Sequence, residues 1–254
     1  MRNYGLIGNP LAHSLSPRLF GEYCQRQGIT DARYALFPLE AEGVVREALH
    51  AWVADQHLLG FNVTIPYKQL IVHSLDYLSD EAAAIGAVNC VSVAYADGAV
   101  KLTGHNTDAV AFRQTLSPLL TPSHRSALVF GTGGAAQAVG YALQQMGIDC
   151  RFVSRNPSAS FNPVQTISYM QAAEQMPCRT LVVNATPVGM TPHADATPWA
   201  DSELFTPHHL VYDLIYNPQE TRLMTEARRH GAATQNGLPM LQAQARQSYK
   251  IWGL

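Results

Sequence analysis

Short apolar runs alternate with stretches of helical periodicity along the whole chain. Residues 4–8 read as a first strand, broken by Asn9-Pro10. A helix is predicted over residues 16–27, with Ser16 as N-cap, Pro17 at the first helical position and Gly28 as its stop. Residues 33–39 form a predicted strand and 41–54 a helix. Residues 58–64 form the next strand, stopped by Pro66, which is placed to open a helix carrying Lys68 near its start. A short helix follows over 79–85. Residues 87–95 and 100–103 pair as a hairpin about Asp97-Gly98. Asn106 or Thr107 caps a helix to about residue 120, with Asp108 in its first turn. The remainder reads as strands at 127–130, 150–154, 164–168, 180–184, 210–215 and 233–235, with helices at 134–146, 219–230 and 237–251.

Alternation of this kind predicts an α/β protein with largely parallel sheets. A glycine-rich turn starts a second sheet system near mid-chain, so two domains are expected. One is a substrate domain over 1–105, with a mostly parallel sheet, completed by residues 237–254. The other is a Rossmann-type dinucleotide-binding domain over 106–236. A cleft between the two is the expected place for cofactor and substrate.

The glycine turn carries the clearest chemistry. The apolar run 127–130 leads into Gly131-Thr132-Gly133-Gly134-Ala135-Ala136 and then a helix of small residues. Gly131, Gly133 and Ala136 fit the G-x-G-x-x-G/A spacing of a dinucleotide turn. Gly131 permits the sharp turn, Gly133 lets a pyrophosphate approach the backbone, and Ala136 lets the helix pack closely on its strand. The helix N-terminus then faces the phosphates. The plainer alternative is a glycine turn in some other α/β protein. At the end of the next strand stands Ser154-Arg155-Asn156, with a base and no nearby acid, which favours a 2′-phosphate and hence NADP over NAD. Earlier in the chain, Ser14 and Ser16 flank a helix start, where a carboxylate is welcome, although Ser16 also reads as a simple cap. Asn62, Thr64 and Lys68 crowd the carboxyl end of a strand, where open α/β sheets place their ligands.

Composition narrows the picture by exclusion. The 254 residues are 47% hydrophobic and 14% charged, with a formal net charge of −2, so no nucleic acid or anionic membrane partner is expected. No apolar run is long enough for a bilayer, and residues 1–10 lack the apolar core of a signal peptide. Cys24, Cys90, Cys150 and Cys178 lie far apart, which suits reduced thiols in a cytoplasmic protein. The histidines show no metal-ligand spacing, and no metal is expected.

Taken together, the motifs resemble the shikimate dehydrogenase family nearly end to end. They are Tyr4-Gly5-Leu6-Ile7-Gly8-Asn9-Pro10, His13-Ser14-Leu15-Ser16-Pro17, Asn62-Val63-Thr64-Ile65-Pro66-Tyr67-Lys68 and Gly86-Ala87-Val88-Asn89, then Asn106-Thr107-Asp108 and the glycine turn. Asn184-Ala185-Thr186, Asp213-Leu214-Ile215-Tyr216-Asn217-Pro218 and Gly237-Leu238-Pro239-Met240-Leu241 complete the series. The resemblance implies NADPH-dependent reduction of 3-dehydroshikimate to shikimate, on the route to chorismate and the aromatic amino acids, by a monomer or homodimer. It implies that Ser14 and Ser16 hold the substrate carboxylate with Tyr216 nearby. Thr64, Asn89 and Gln244, with Asn62, would bind ring hydroxyls, and Lys68 and Asp108 would form the catalytic pair. Gly131–Ala135, Ser154–Asn156, Leu214 and Gly237 match cofactor-contacting positions, as does Asp80 in some members. The last helix is expected to fold back onto the substrate domain.

Departures from the family pattern are local. His105 stands where an acid is common, Ala109 where a glycine follows N-T-D, and Ser154-Arg155-Asn156 where N-R-T is typical. Ser158 and Ala159 occupy the place of a second base, which weakens the expected phosphate clamp. Asn236 replaces a common Asp, and Gln242 an apolar residue. They leave open a relative acting on quinate, with NAD or with both cofactors, or a non-catalytic dinucleotide-binding sensor. The retained Lys68 and Asp108 argue against the sensor.

Overall fold

The structure, a computed structural model, describes residues 1–96, 98–157 and 164–254. The chain divides into two compact units, Met1–Asp108 with Gln244–Leu254, and Ala109–Ala243. Residues 106–108 thus fall in the first unit, not the second where the sequence placed them. Their hydrogen bonds explain this, since Asn106 donates to Ala87 O and the Thr107 N–H to Asn89 Oδ1.

In the first unit, β1 (Arg2–Gly8), β2 (Ala32–Pro38), β3 (Leu58–Val63), β4 (Tyr77–Leu78), β5 (Cys90–Ala96) and β6 (Ala99–His105) form one sheet. Its order is β2-β1-β3-β5-β6-β4. The joins β1–β2, β1–β3 and β4–β6 are parallel. Those on either side of β5 are antiparallel, and a tight hairpin joins β5 to β6. Gly98 takes a positive φ of 75° in that hairpin, and Asp97 lies outside the described residues. Helices α1 (Ser16–Gln27), α2 (Arg46–Asp55) and α3 (Asp80–Ile85) flank the strands. Ile7, Leu49, Val53, Leu58, Phe61, Ile71 and Leu102 bury one core of this unit.

Local chemistry moves three boundaries here. Ser16 is not the cap of α1. Leu15 holds that position without a side-chain bond, and Ser14 Oγ accepts the Ser16 N–H at 3.3 Å. The helix expected from residue 41 starts as a 3-10 turn over Ala41–Val44, across the poor helix formers Gly43 and Val44. No α-helix begins at Pro66. Residues 65–69 form a turn before a 3-10 segment, Leu70–Ser74, because the Lys68 carbonyl accepts the Val88 N–H at 2.7 Å and is lost to a helix.

After α4 (Asp108–Leu116), whose residues from Ala109 onward belong to the second unit, comes a wholly parallel sheet of β7 (Ser126–Phe130), β8 (Asp149–Val153), β9 (Thr166–Ile167), β10 (Leu181–Asn184), β11 (Leu210–Asp213) and β12 (Ala233–Gln235). The order β12-β11-β10-β7-β8-β9 is that of a Rossmann sheet, with its reversal between β7 and β10. Helices α5 (Gly134–Gln145), α6 (Tyr169–Gln175) and α7 (Arg222–Arg229) belong to it. The periodicity does not announce α6, although Ser168 and Gln171 make a reciprocal capping box at its start. The strand expected over 164–168 takes in that cap, whereas β9 ends one residue earlier, at Ile167. Gly140 packs α5 on β8, where a Cβ would meet the Phe152 ring at 2.7 Å.

The last helix, α8 (Leu238–Ile251), belongs to the first unit from Gln244 onward. There Ala245 and Tyr249 join Tyr4, Phe20 and Cys24 in a second core, against which Trp252 packs. Trp252 stacks on Tyr4 and donates its indole N–H to Val91 O at 2.9 Å. A Cβ on Gly60 would overlap that indole. Gly60→Ala should therefore destabilise the protein by ~1–3 kcal/mol, the usual range for overpacking. Urea unfolding followed by Trp fluorescence checks this, and an unchanged midpoint would remove Trp252 from its place on the sheet.

Candidate functional site

In the first unit a single buried network gathers the predicted catalytic pair, Lys68 and Asp108, with Asn62, Asn89 and Gln244. β3 ends at Val63, and the turn after it carries Lys68 toward the end of β6. Lys68 Nζ lies 2.5 Å from Asp108 Oδ2, with both side chains largely buried. The other oxygen, Asp108 Oδ1, accepts from Asn89 Nδ2 at 2.9 Å. Asn106 Oδ1 accepts the Asp108 N–H, which orients the first turn of α4. Asn89 also donates to Thr107 Oγ1 at 2.9 Å, and Thr107 Oγ1 lies 3.4 Å from Gln244 Oε1. Gln244 Oε1 is itself 3.3 Å from Asn89 Nδ2. A charge-assisted contact such as Lys68–Asp108, screened from water, is stronger than its surface counterpart.

Asn62 extends the network but is already committed. Its amide donates to Asn89 O at 3.1 Å and Ser248 Oγ at 2.8 Å, and its carbonyl accepts from the Tyr34 hydroxyl at 2.9 Å. It acts as a bracket between β2, β3 and α8. Tyr34 and Ser248 do not stand out in the sequence. Tyr34 reads as an ordinary strand aromatic, and only the spacing of Ser248 one turn after Gln244 hints at its role. Burial pushes the Tyr34 phenol well above its usual range, against a bond from Ser16 that lowers it. Burial likewise pushes the Cys90 thiol up to about 12. Both groups are neutral at physiological pH.

Thr64 is half-buried just beyond β3, with its N–H on Ile7 O. Ser14 and Ser16 are half-buried at the start of α1. His105, the departure from the family's usual acid, bonds Ser92 Oγ at 3.0 Å, and burial lowers its pKa. Asp80 is exposed in the first turn of α3, outside this network, where an acid favours the helix end in its own right.

The predicted cofactor residues lie in the second unit, at the carboxyl ends of its strands. Gly131 follows β7 with φ of 104°, and a Cβ there would press on Thr186 Cγ2 at 3.0 Å and Ala185 O at 3.2 Å. Gly133 begins α5 in an extended conformation, without a side-chain cap, and a Cβ there would meet nothing within 4 Å. No packing in the chain demands glycine at 133, so its absent Cβ leaves room over the helix N-terminus. Thr132, Gly134 and Ala135 complete the turn. That room, the uncapped helix start and the strand order fit a pyrophosphate. Ser154 Oγ accepts the Asn156 N–H after β8, and Arg155 is exposed without an ion pair among the described residues. Ser158 and Ala159 lie outside the described residues. Gly237 closes on the segment after β11. Its N–H donates to Ile215 O, and a Cβ would collide with Leu214 O. Tyr216 is half-buried in that same segment.

No group of three or more His, Cys, Asp or Glu residues able to hold a metal occurs among the described residues. Nor is any described helix long and apolar enough to cross a membrane.

A profile of the shikimate dehydrogenase substrate binding domain matches residues 6–91. Shikimate dehydrogenase (NADP(+)) of Salinibacter ruber is 37% identical over 267 residues, spanning 97% of this chain and 90% of that protein. Shikimate 5-dehydrogenase of Thermus thermophilus, solved with NADP(H) and shikimate, superposes with a TM-score of 0.85 at 33% identity, covering 100% of this chain and 94% of that one. Quinate dehydrogenase of Corynebacterium glutamicum, solved with NAD, also superposes at 0.85, with 30% identity and the same coverage.

Gly133→Ala separates fold from cofactor binding. Because the backbone there suits alanine and no atom is near, stability should stay within about 1 kcal/mol of the parent. Dinucleotide affinity should fall about tenfold or more, equivalent to ~1.4 kcal/mol. Equal affinities in a fluorescence titration would take the turn out of cofactor binding.

Proposed function

The chain belongs to the shikimate dehydrogenase family, and on that premise we propose that it reversibly reduces 3-dehydroshikimate to shikimate with NADPH. The observation that carries this reading is the buried chain Lys68–Asp108–Asn89. Ketone reduction needs hydride at carbon and a proton at oxygen. When bound, the reduced nicotinamide supplies the hydride. Lys68 Nζ delivers the proton to the carbonyl oxygen and takes the hydroxyl proton back in the reverse direction. Asp108, held through Oδ1 by Asn89, keeps the Lys68 amine aimed and accepts a hydrogen bond from the reacting hydroxyl.

The remaining roles follow the chemistry of each group. Ser14 and Ser16 bind the substrate carboxylate at the start of α1, with Tyr216 as a further partner. Thr64, Asn89 and Gln244 bind the ring hydroxyls. Asn62 is a further member of that group, its side chain already bonded to Asn89, Ser248 and Tyr34. Gly131, Thr132, Gly133, Gly134 and Ala135 receive the pyrophosphate, and Leu214 and Gly237 border the nicotinamide end. Ser154, Arg155 and Asn156 hold the 2′-phosphate, with Arg155 as the charged partner. Asp80 is a subsidiary cofactor residue on the resemblance alone. The enzyme works on small molecules in the cytoplasm as a monomer or homodimer.

A second reading, quinate oxidation with NAD, draws on the likeness to the quinate dehydrogenase fold and on the single base at 154–156. Initial rates with shikimate or quinate, each with NADP⁺ or NAD⁺, separate the two. Shikimate with NADP⁺ should be the preferred pair, and a preference for quinate with NAD⁺ would overturn the main reading. Lys68→Ala should lower kcat by ~10²-fold or more, the usual scale of a general acid–base residue. A change confined to KM would take Lys68 out of the chemical step.

A further inference from the structure

The second unit contains a buried carboxylate that the proposed chemistry does not use. Asp213 ends β11, fully buried, beside the point where the strand order reverses. Its Oδ1 accepts from Asn184 Nδ2 and from the Ile215 N–H, both at 3.0 Å. Its Oδ2 accepts the Thr221 hydroxyl at 2.7 Å. Every partner is a donor, so the geometry is complete only for the ionised carboxylate.

Those bonds reach each predicted cofactor element near the reversal. Asn184 Oδ1 holds the Thr186 N–H at 3.0 Å and its hydroxyl at 2.7 Å, and Thr186 is the residue seated against Gly131. The bond to Ile215 fixes the turn whose Leu214 carbonyl faces Gly237 and whose Ile215 carbonyl accepts the Gly237 N–H. One side chain thus sets the loop after β10 and the segment after β11.

We propose that Asp213 is a positioning residue for the dinucleotide: ionised, it holds residues 184–186 and 214–215 in the arrangement that receives the cofactor, and protonation releases them. The proposal rests on the reading that this unit binds NADP(H). Burial pushes the Asp213 carboxyl up to about 6, opposed by the bonds from Thr221, Ile215 and Asn184. Its direct partners are neutral. Among charged neighbours in sequence, Glu220 is paired with Arg228, and Arg222 bonds Asp195 O. The release therefore sets in as pH drops through about 6, within reach of ordinary buffers. A protonated carboxyl would present a hydrogen to donors: the Asn184 amide and the Ile215 N–H cannot accept it, and Thr221 Oγ accepts it only by turning away the hydrogen it now donates.

The test is NADP⁺ binding by the full-length protein from about pH 5 to 8, followed by fluorescence titration, with steady-state kinetics on shikimate at about pH 8. Asp213→Asn should raise the NADP⁺ Kd about tenfold at the alkaline end while the KM for shikimate holds. It should also flatten the extra loss of affinity below about pH 6 that the parent shows. The 2′-phosphate of NADP⁺ titrates in the same range but does so alike for both proteins. Thr221→Val removes one donor from the carboxylate, so its break in affinity should move to higher pH, and Thr221→Ser should restore it. Parent and variant with the same pH profile, or an unmoved break in Thr221→Val, would overturn the proposal; Thr221→Val decides the matter if Asp213→Asn does not fold. NADP⁺ binding without turnover of shikimate would sink the proposed function and leave Asp213 standing. No NADP⁺ binding by the parent would sink both.

Discussion

Asn89 is the residue on which the first unit's polar interior depends. Its backbone N–H bonds His105 O, and its carbonyl accepts from the Val63 N–H and the Asn62 amide. Its side chain accepts the Thr107 N–H and donates to Thr107 and Asp108. One buried amide thereby joins β3, β5, β6 and the start of α4. Each of these groups, left without a partner in the interior, would cost about 1–3 kcal/mol. The arrangement is therefore sharply specified, and so is the pose of the Lys68–Asp108 pair attached to it.

The two units solve the same problem with different means. The first places polar side chains through a closed network whose members satisfy one another. The second relies on close backbone approach. Gly131 and Gly237 let loops from neighbouring strands touch where a Cβ would intrude. Asp213 then secures those loops from below with charge rather than apolar packing.

Much of this is readable from residue types. The strand–glycine–helix order at 127–146 and the hairpin about Gly98 follow from local rules of periodicity and turn chemistry. The departures at Ser16 and Pro66 share a cause. The Lys68 carbonyl is drawn off by Val88, and Ser14 takes the backbone N–H of Ser16. In each case a competing hydrogen bond overrides a sound local preference, and at Lys68 the competitor lies far away in sequence.

By itself the sequence determined the alternation of strands and helices and the strand–glycine–helix turn at 127–146, because those depend on neighbours a few positions apart. Only the tertiary structure decided that Asn62 is a bracket tied to Ser248 and Tyr34, that Gln244 from the last helix meets Asn89, and that Asp213 carries both loops at the sheet reversal. Those outcomes rest on pairings of residues up to 186 positions apart. Hydrogen-bond valence is used up by whichever donors and acceptors the folded chain brings within about 3 Å, and no local pattern along the chain records that distance.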